Sequence, residues 1–168
     1  PDYLPGIEAA TGSLGHGLPI GLGMALSSRM NSKNFHVYVL LGDGECNEGS
    51  IWEAATMAVA QNVENLTIFV DSNKWQATDR TSDLVGGICL KQKWQSFGWN
   101  ASEIEGNSMK EVIKALSKKP KKGVPTAIIL NTVKGSGISF MEDDNNWHYR
   151  IPNAEEVELA FKELGVKS

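Results

Sequence analysis

Cysteine and long apolar runs are scarce in this 168-residue sequence. Its two cysteines, Cys46 and Cys89, cannot build a disulfide framework, and neither has a second Cys or His at the spacing of a zinc site. No apolar stretch approaches the length of a membrane span, and the first residues lack the charged and apolar regions of a signal peptide. These absences predict a reducing, cytoplasmic setting and no membrane partner.

Basic residues are also fewer than acidic residues. The sequence has 16 Lys and Arg residues against 20 Asp and Glu residues, so its net charge is −4. Proteins that bind nucleic acid usually gather a basic excess on one face, and the one basic cluster, residues 118–122, falls between a predicted helix and a predicted strand. A solvated turn explains that cluster, and no nucleic-acid partner is expected.

Hydrophobic residues make up 41% of the sequence, which is enough for one domain and leaves little room for two. We therefore expect a single domain over residues 1–168. Its first residues resemble the middle of a longer chain, so we expect the domain to be truncated at its amino end. A truncated sheet would expose apolar surface, which predicts limited solubility.

Apolar periodicity alternates between helix and strand along the chain. Helices are predicted at 18–30, 50–61, 91–97 and 108–116 and in an amphipathic segment capped by Asn153, and strands at 35–41, 66–70, 99–104 and 126–130. Ser108 and Glu111 have the spacing of a capping box. Short buried strands that alternate with helices predict an α/β fold, a doubly wound parallel sheet with helices on both faces.

Ligands bind such sheets beyond the carboxyl ends of the strands, which directs attention to the segments after Leu41, Val70 and Leu130. All three segments are polar or glycine-rich. The predicted loops 71–87 and 131–152 exceed the usual connection length. We therefore expect these loops to carry function.

Asp43 stands between Gly42 and Gly44, directly after a predicted strand. Taken alone this motif is equally a tight turn, because Gly and Asp both favour turns. Asn73 follows the next strand, so Asp43 and Asn73 are expected at the same edge of the sheet. One carboxylate, one amide and the oxygens of a diphosphate would suit Mg²⁺. Gly44 would let a backbone amide approach the diphosphate, and the next helix points its amino end toward that charge.

This motif, Gly-Asp-Gly followed thirty residues later by Asn, resembles the thiamine diphosphate binding pattern. The surrounding sequence is similar to the N-terminal, cofactor-binding section of transketolase, of the type divided between two subunits. The segments that carry the likeness are 6–17, 42–54, 133–137 and 147–148. They span nearly the whole chain, although the first elements of the family's domain are missing from it.

The resemblance implies a site for Mg²⁺ and thiamine diphosphate. The implied metal ligands are the side chains of Asp43 and Asn73 and the backbone carbonyl of Trp75. The implied cofactor-binding residues are Gly12, Leu14, Asp43, Gly44, Asn73, Lys134 and His148. The implied catalytic residues are Glu48, His16 and His148, with Glu48 at the subunit interface. A glutamate that activates the aminopyrimidine would come from the partner, the C-terminal, pyrimidine-binding subunit.

Several of these residues also have simpler interpretations. His16 is equally well explained as a capping or surface histidine. Lys134 could be a solvated loop lysine, but its glycine-flanked position after a strand end favours phosphate contact. His148 is favoured as a cofactor contact, because Lys134 and Trp147 accompany it and a donor beside a diphosphate has a clear electrostatic purpose. Cys46 is interpreted as a small buried residue rather than a nucleophile, since the cofactor itself supplies the reactive carbon.

Two positions depart from the family pattern. Arg80 stands where the family has a glycine shortly after the strand end that carries Asn, and this leaves the conformation of that loop open. Tyr149 replaces the glycine that usually follows the Trp-His pair.

The resemblance implies transfer of a two-carbon ketol unit from a ketose phosphate to an aldose phosphate, with thiamine diphosphate as the electron sink. The site would be shared between chains, so this chain is expected to be inactive alone and to work in a homo- or hetero-oligomer of the pentose phosphate pathway. Two alternatives stay open. One is another thiamine diphosphate enzyme, such as a deoxyxylulose-phosphate synthase, and the other is a non-catalytic, truncated cofactor-binding module.

Overall fold

The structure is a computed structural model that describes residues 4–166 and contains a parallel sheet of four strands. The strands are β1 (Val37–Gly42), β2 (Leu66–Ser72), β3 (Asn100–Glu105) and β4 (Thr126–Asn131). The helices are α1 (Gly17–Met30), α2 (Gly49–Ala60), α3 (Thr81–Val85), α4 (Leu90–Ser96), α5 (Met109–Leu116) and α6 (Ala154–Glu163), with short 3₁₀ helices at Glu45–Asn47 and Asn145–His148. The strand order is β1-β2-β4-β3, and all neighbours are parallel.

This strand order places helices on both faces of the sheet. Parallel crossovers are right-handed, and the connection from β1 to β2 runs in the opposite direction across the sheet to the connection from β3 to β4. Consequently α2 and α5 lie on opposite faces. Helices α1 and α4 pack on the same face as α2, where α1 contacts β1 and α2. The predicted fold class is confirmed.

The core lies between the sheet and the helices α1, α2 and α4. Val39 and Leu41 of β1 and Ile68 of β2 point into it, and all three are buried. The rings of Trp94, in α4, and Trp99, just after it, pack edge to face with centroids 4.9 Å apart, and both are buried. Burying an aromatic or branched side chain of this size contributes about 1.5–3 kcal/mol, so this face accounts for much of the stability of the fold.

The opposite face of β1 is open to solvent. Tyr38 and Leu40 are 56% and 70% exposed, and no helix covers them within residues 4–166. The continuous apolar run at 35–41 had predicted a strand buried on both sides. The structure therefore gives this strand one buried face and one exposed apolar face, which is the kind of surface that the sequence predicted to limit solubility.

Most predicted elements are present with small shifts at their ends. The predicted strand at 35–41 begins later, at Val37, because the backbone N–H and C=O of Phe35 both bond to the Ser28 hydroxyl of α1 instead of to a strand. The capping box at Ser108 is half formed, since its hydroxyl accepts the Glu111 N–H while the Glu111 carboxylate lies near Lys114.

The last helix, α6, begins with a complete capping box. Asn153 accepts the N–H of Glu156, and the Glu156 carboxylate accepts the N–H of Asn153, each at 2.9 Å. The short helix α3 was not predicted, because its five residues carry too little periodicity to detect. Among the helices of residues 4–166, none combines the length and apolar character needed to cross a membrane.

Candidate functional site

The carboxyl ends of β1, β2 and β4 meet at one edge of the sheet. Gly42 at the end of β1 is paired with Asp71 of β2, which is paired in turn with Leu130 of β4. The Asp43 N–H continues this ladder by donating to the Asp71 carbonyl at 3.0 Å. The three segments selected from the sequence therefore lie side by side, as the parallel topology predicted.

Asp43 is the buried acid of this edge, with only 4% of its surface exposed. Its Oδ1 accepts the Gly44 N–H and its Oδ2 accepts the Thr81 hydroxyl, each at 2.9 Å. Burial raises the pKa of Asp43 above its usual range, the two hydrogen bonds oppose that rise, and the neighbouring Asp71 adds to it. None of the ion pairs found in residues 4–166 involves Asp43. A carboxylate in this position favours a bound cation.

Asn73 is connected to Asp43 through Asp71. The Asn73 amide nitrogen donates to Asp71 Oδ2 at 3.0 Å, and the Thr132 hydroxyl, from the segment after β4, donates to the other oxygen of Asp71. The Asn73 amide oxygen accepts the Trp75 N–H at 2.9 Å. A carbonyl oxygen has a second lone pair, so this oxygen retains the capacity to bind a cation.

Trp75 lies in a small hairpin that follows β2. The Gln76 N–H donates to the Asp79 carbonyl and the Thr81 N–H donates to the Lys74 carbonyl. Trp75 and its opposite residue, Arg80, form the pair between these two bonds, in which the backbone groups point away from the partner strand. In the described part of the chain, the Trp75 carbonyl accepts no hydrogen bond. It is therefore free to serve as the predicted third protein ligand.

The glycine-rich segment before α1 is tied to this edge by Glu45. The Glu45 carboxylate accepts the N–H of Gly15 at 2.9 Å and the N–H of Gly42 at 3.3 Å. Ser50 of α2 donates to the Gly15 carbonyl at 2.9 Å. A Cβ on Gly15 would lie 2.8 Å from the Glu48 Cβ, so only glycine allows this approach. The segment is thereby held against the start of α2.

Four predicted residues lie on or beside this segment. Gly12 and Leu14 are exposed, and a Cβ on Gly12 would meet no atom within 4 Å, so open space surrounds this backbone. His16 is exposed at the start of α1 and its Nδ1 lies 3.2 Å from the Leu14 carbonyl. Glu48 is exposed before α2. The proposed contacts of these residues with cofactor or substrate stay predictions.

The backbone at Gly42 and Gly44 does not support the tight-turn interpretation of the motif. Neither Gly42 nor Gly44 has a positive φ, so the motif does not form a turn whose backbone angles require glycine. A Cβ on Gly44 would lie 3.1 Å from the Gln76 side chain, which shows that close packing favours glycine there. The Gly44 N–H, predicted to bind the diphosphate, donates to Asp43 in this structure.

Lys134 and His148 come from the long loop after β4. Lys134 is half-buried, and no ion pair of residues 4–166 includes its ammonium group. Trp147 packs edge to face on Phe140 with a centroid distance of 5.3 Å and donates from Nε1 to the Phe140 carbonyl. His148 is exposed and packs edge to face against Tyr149, and it does not line the cavity described next.

A cavity of about 290 Å³ opens beside Asp43. Its polar wall includes Asp43, Ser72, Lys74 and Thr81. Its apolar wall includes Val85, Ile88, Leu90 and Ile129, which come from α3, α4 and β4 and the segment between the two helices. The cavity combines one buried acid, nearby cationic side chains and an apolar floor, which are the features of a site for an anionic organic ligand and a cation.

The residues present fit Mg²⁺ and thiamine diphosphate. Asp43, Asn73 and the Trp75 carbonyl would supply one carboxylate, one amide and one carbonyl oxygen, all of the hard type that Mg²⁺ prefers. No three His, Cys, Asp or Glu side chains converge on a metal position within residues 4–166. This donor set is therefore too small for an all-protein cage and suits an ion whose coordination is completed by phosphate oxygens.

Sequence reasoning missed three side chains of this site. Thr81 donates to Asp43, Glu45 organises the glycine-rich segment, and Asp143 contacts the hairpin from the loop after β4. Thr81 and Asp143 lie in the two long loops that were expected to carry function, so their segments were identified but not their roles. Glu45 lies within the segment at 42–54 and could have been identified by its position after Gly44.

Comparison with known proteins adds a family to this geometry. The family described as "Transketolase, thiamine diphosphate binding domain" matches residues 1–168. An apulose-4-phosphate transketolase subunit of Actinobacillus succinogenes is 43% identical over 160 residues, covering 95% of this chain and 58% of the relative. The 6-deoxy-6-sulfo-D-fructose transketolase subunit of Clostridium sp. strain MSTE9 is 41% identical over 160 residues, with the same two coverages of 95% and 58%.

The fold has a close counterpart among solved structures. Transketolase from Campylobacter jejuni superposes with a TM-score of 0.87 at 25% identity, covering 96% of this chain and 27% of the transketolase chain. The resemblance inferred from the sequence motifs is thus confirmed. The chain spans 58% of the length of the curated subunits that it matches.

Proposed function

We propose that this chain, which belongs to the family of transketolase thiamine diphosphate binding domains, provides the Mg²⁺ and cofactor site of a two-subunit transketolase. The observation that carries the proposal is the buried Asp43 carboxylate at the meeting point of β1 and β2. Burial without a cationic side chain is unfavourable for an acid that serves stability alone. Such burial is expected for a metal ligand, because the bound cation then balances the charge of the carboxylate.

The metal would be held from two strand ends. Asp43 follows β1, while Asn73 and Trp75 follow β2, and the Asp71 side chain fixes the position of Asn73. Because Asp43 already accepts hydrogen bonds from Gly44 and Thr81, and Asn73 accepts one from Trp75, their oxygens are oriented before the ion binds. This arrangement reduces the ordering that binding would otherwise require.

When bound, thiamine diphosphate supplies an electron sink for cleavage and formation of a carbon–carbon bond beside a carbonyl group. The protein's own contribution is to bind and orient. Lys134, half-buried after β4, would donate to the diphosphate, as would the N–H of Gly44 once it turns from Asp43. The backbone of Gly12 and Leu14 would border the cofactor from the segment that Glu45 holds.

Three exposed side chains are proposed as the catalytic groups of this chain. His16 and His148 each carry a ring nitrogen that can donate a hydrogen bond to substrate or cofactor. Glu48 is exposed at the start of α2, where it can reach a second chain. These roles are proposals that follow from the family pattern and from the exposure of the three side chains.

The partner in the proposal is a C-terminal, pyrimidine-binding transketolase subunit. Two of the relatives described above are named as transketolase subunits, and this chain spans 58% of their length. The proposed reaction is transfer of a two-carbon ketol unit from a ketose phosphate to an aldose phosphate, and the chain alone would be inactive. A cytoplasmic setting agrees with the two free cysteines, Cys46 and Cys89.

A reconstitution assay tests the whole proposal. The chain is mixed with a candidate C-terminal subunit, Mg²⁺ and thiamine diphosphate, and ketol transfer is followed with a panel of ketose phosphate donors. We expect turnover only when both chains are present. Turnover by the chain alone would contradict the shared site, and cofactor binding without turnover on any donor would favour a non-catalytic module.

Glu48 can be tested in the same assay. Glu48→Gln should lower turnover in the mixture while the affinity of this chain for thiamine diphosphate stays unchanged, because the carboxylate is proposed to reach the partner rather than the diphosphate. Glu64→Gln is the control, since Glu64 is an exposed acid that precedes β2 at the opposite edge of the sheet. Equal effects of the two substitutions would argue against a role for Glu48 at the interface.

A further inference from the structure

Arg80 and Trp75 face each other across the hairpin that follows β2. In this type of antiparallel pair the side chains lie close together. The Arg80 guanidinium carbon is 3.8 Å from the centre of the Trp75 ring. A guanidinium stacked on an indole face stabilises both side chains in one arrangement.

Asp143, from the loop after β4, binds both of these side chains. Its carboxylate accepts hydrogen bonds from the two terminal nitrogens of Arg80 at 2.8 and 2.6 Å and from Nε1 of Trp75 at 2.9 Å. A bidentate contact between arginine and a carboxylate fixes orientation as well as distance. The three bonds join two loops whose bonded residues lie 63 and 68 positions apart in the sequence.

The hairpin side of this cluster leads directly to the proposed metal site. The Trp75 N–H donates to the Asn73 amide oxygen, and the Trp75 carbonyl points away from the hairpin. Thr81, the neighbour of Arg80 in the chain, donates its hydroxyl to Asp43. A shift of the Trp75–Arg80 pair would therefore move the groups that orient Asn73 and Asp43.

The other side of the cluster leads to the proposed diphosphate contact. The Asp143 N–H donates to the Lys134 carbonyl at 2.9 Å, and Asp143 holds a positive φ of 55° to do so. A residue other than glycine adopts that conformation at an energetic cost, which is offset here by the contacts that its side chain makes. Asp143 thus fixes the backbone of Lys134 relative to the hairpin.

We propose that Arg80, Trp75 and Asp143 form a clamp that holds the two loops in the cofactor-binding conformation before Mg²⁺ and thiamine diphosphate bind. Arg80 also lines the cavity beside Asp43, but its guanidinium is bonded to Asp143. We therefore assign it a positioning role, in which it acts on the metal site through the backbone of Trp75. The inference rests on the proposed function, since it assigns the clamp a task at the cofactor site.

The test compares Mg²⁺-dependent binding of thiamine diphosphate in Arg80→Gln, Asp143→Asn and the double variant, by calorimetric titration. The partner subunit is added to every sample if the unsubstituted chain needs it for binding. If the loops without the clamp adopt the cofactor-binding conformation about a tenth of the time, the apparent Kd for thiamine diphosphate rises about tenfold. We expect the double variant to be no weaker than either single variant, because each substitution breaks the same clamp.

Arg29→Gln is the matched control. Arg29 also joins two elements through its guanidinium, by donating to the carbonyls of Gln61 and Asn62. It does so at the amino ends of the strands, opposite the proposed site. This variant should lower the melting temperature without changing the Kd for thiamine diphosphate.

Hydrogen exchange provides a readout that needs no cofactor. In the free chain the N–H groups of Gln76 and Thr81 are bonded across the hairpin, so they should exchange slowly, and both should exchange faster in Arg80→Gln and Asp143→Asn. Asp143→Asn preserves the shape of the side chain, so it tests the clamp even if Arg80→Gln fails to fold.

The outcomes separate the clamp from the proposed function. Normal binding by the unsubstituted chain together with unchanged Kd values in the folded variants would overturn the clamp alone. Equal weakening by Arg29→Gln, or additive losses in the double variant, would also overturn it. Failure of the unsubstituted chain to bind thiamine diphosphate under any of these conditions would refute the proposed function and, with it, this inference.

Discussion

Replacing Asp43 with asparagine should stabilise the chain in the absence of Mg²⁺ and abolish its response to the cofactor. Asparagine retains the shape of the side chain and both hydrogen bonds. Its oxygen can accept the Gly44 N–H, and its amide nitrogen can donate to the Thr81 hydroxyl, which then reverses its role. What disappears is a buried negative charge that lacks a cationic partner in residues 4–166.

The expected magnitudes follow from this exchange. Removing an unfavourable charge from a functional site typically stabilises a protein by about 1 kcal/mol, which corresponds to a rise in melting temperature of about 2–4 °C for a chain of this length. The unsubstituted chain, at ligand concentrations about a hundred times the Kd, should instead gain about 2.7 kcal/mol from Mg²⁺ and thiamine diphosphate. The order of the two melting temperatures should therefore reverse between EDTA and the complete ligand mixture.

The pH dependence has a definite sign. Burial raises the pKa of Asp43, so the folded state holds this proton more tightly than the unfolded state. The unsubstituted chain therefore loses stability as the pH rises from the ordinary carboxyl pKa of about 4 through the raised value in the fold. The advantage of Asp43→Asn in EDTA should be absent near the acid end of this range and complete at neutral pH.

Differential scanning fluorimetry in EDTA, in Mg²⁺ alone and in Mg²⁺ with thiamine diphosphate measures all of these quantities. Asp83→Asn is the control, because it removes one negative charge from an exposed position in α3. A lower melting temperature for Asp43→Asn in EDTA would refute the view that this carboxylate is held at a cost to stability. An undiminished shift with the ligands would refute its role in binding them.

Three further predictions concern single positions. Gly135→Ala should cost about 2–4 kcal/mol in urea unfolding, because Gly135 has a φ of 71° and a Cβ there would collide with a backbone carbonyl across the loop. Gly137→Ala, with a φ of 96° and more open surroundings, should cost less. Iodoacetamide at a pH of about 8, near the ordinary thiol pKa, should modify the exposed Cys89. It should spare Cys46, because burial raises the pKa of that thiol to about 12. Mass spectrometry of the native chain measures both, and modification of Cys46 in preference to Cys89 would contradict this reasoning. Burial lowers the pKa of His36, so unfolding by urea should become easier as the pH falls below about 6.5, and His36→Gln should flatten that dependence.

The location of the site could be predicted from the sequence because it depends on topology. Asp43 and Asn73 each follow a buried strand, and parallel strands bring their carboxyl ends to one edge. No side-chain detail is needed for that step. The connection between the two residues, through the carboxylate of Asp71, required the structure because it depends on rotamers at the strand end.

Contacts between the long loops could not be predicted from the sequence. Arg80 was recognised as a departure from the family pattern, but its partner Asp143 lies 63 residues away in a segment without periodicity. Thr81 could not be assigned to Asp43 for the same reason. Loop conformations are set by turns, positive φ values and side-chain bonds, which single-sequence patterns do not determine.

Exposure of the sheet also escaped prediction. A continuous apolar run predicts burial on both faces, yet Tyr38 and Leu40 are exposed while Val39 and Leu41 are buried. The apolar residues on both faces of β1 would suit a strand that is covered on both sides. Within residues 4–166 the helices cover only one of its faces.

Calorimetric titration of thiamine diphosphate into the purified chain, with and without Mg²⁺ and with and without a candidate C-terminal subunit, tests the central claim most directly. The account predicts binding that requires Mg²⁺ and is lost in Asp43→Ala. Binding of equal strength without Mg²⁺, or binding that survives Asp43→Ala, would contradict the assignment of Asp43 as the metal ligand that holds the cofactor.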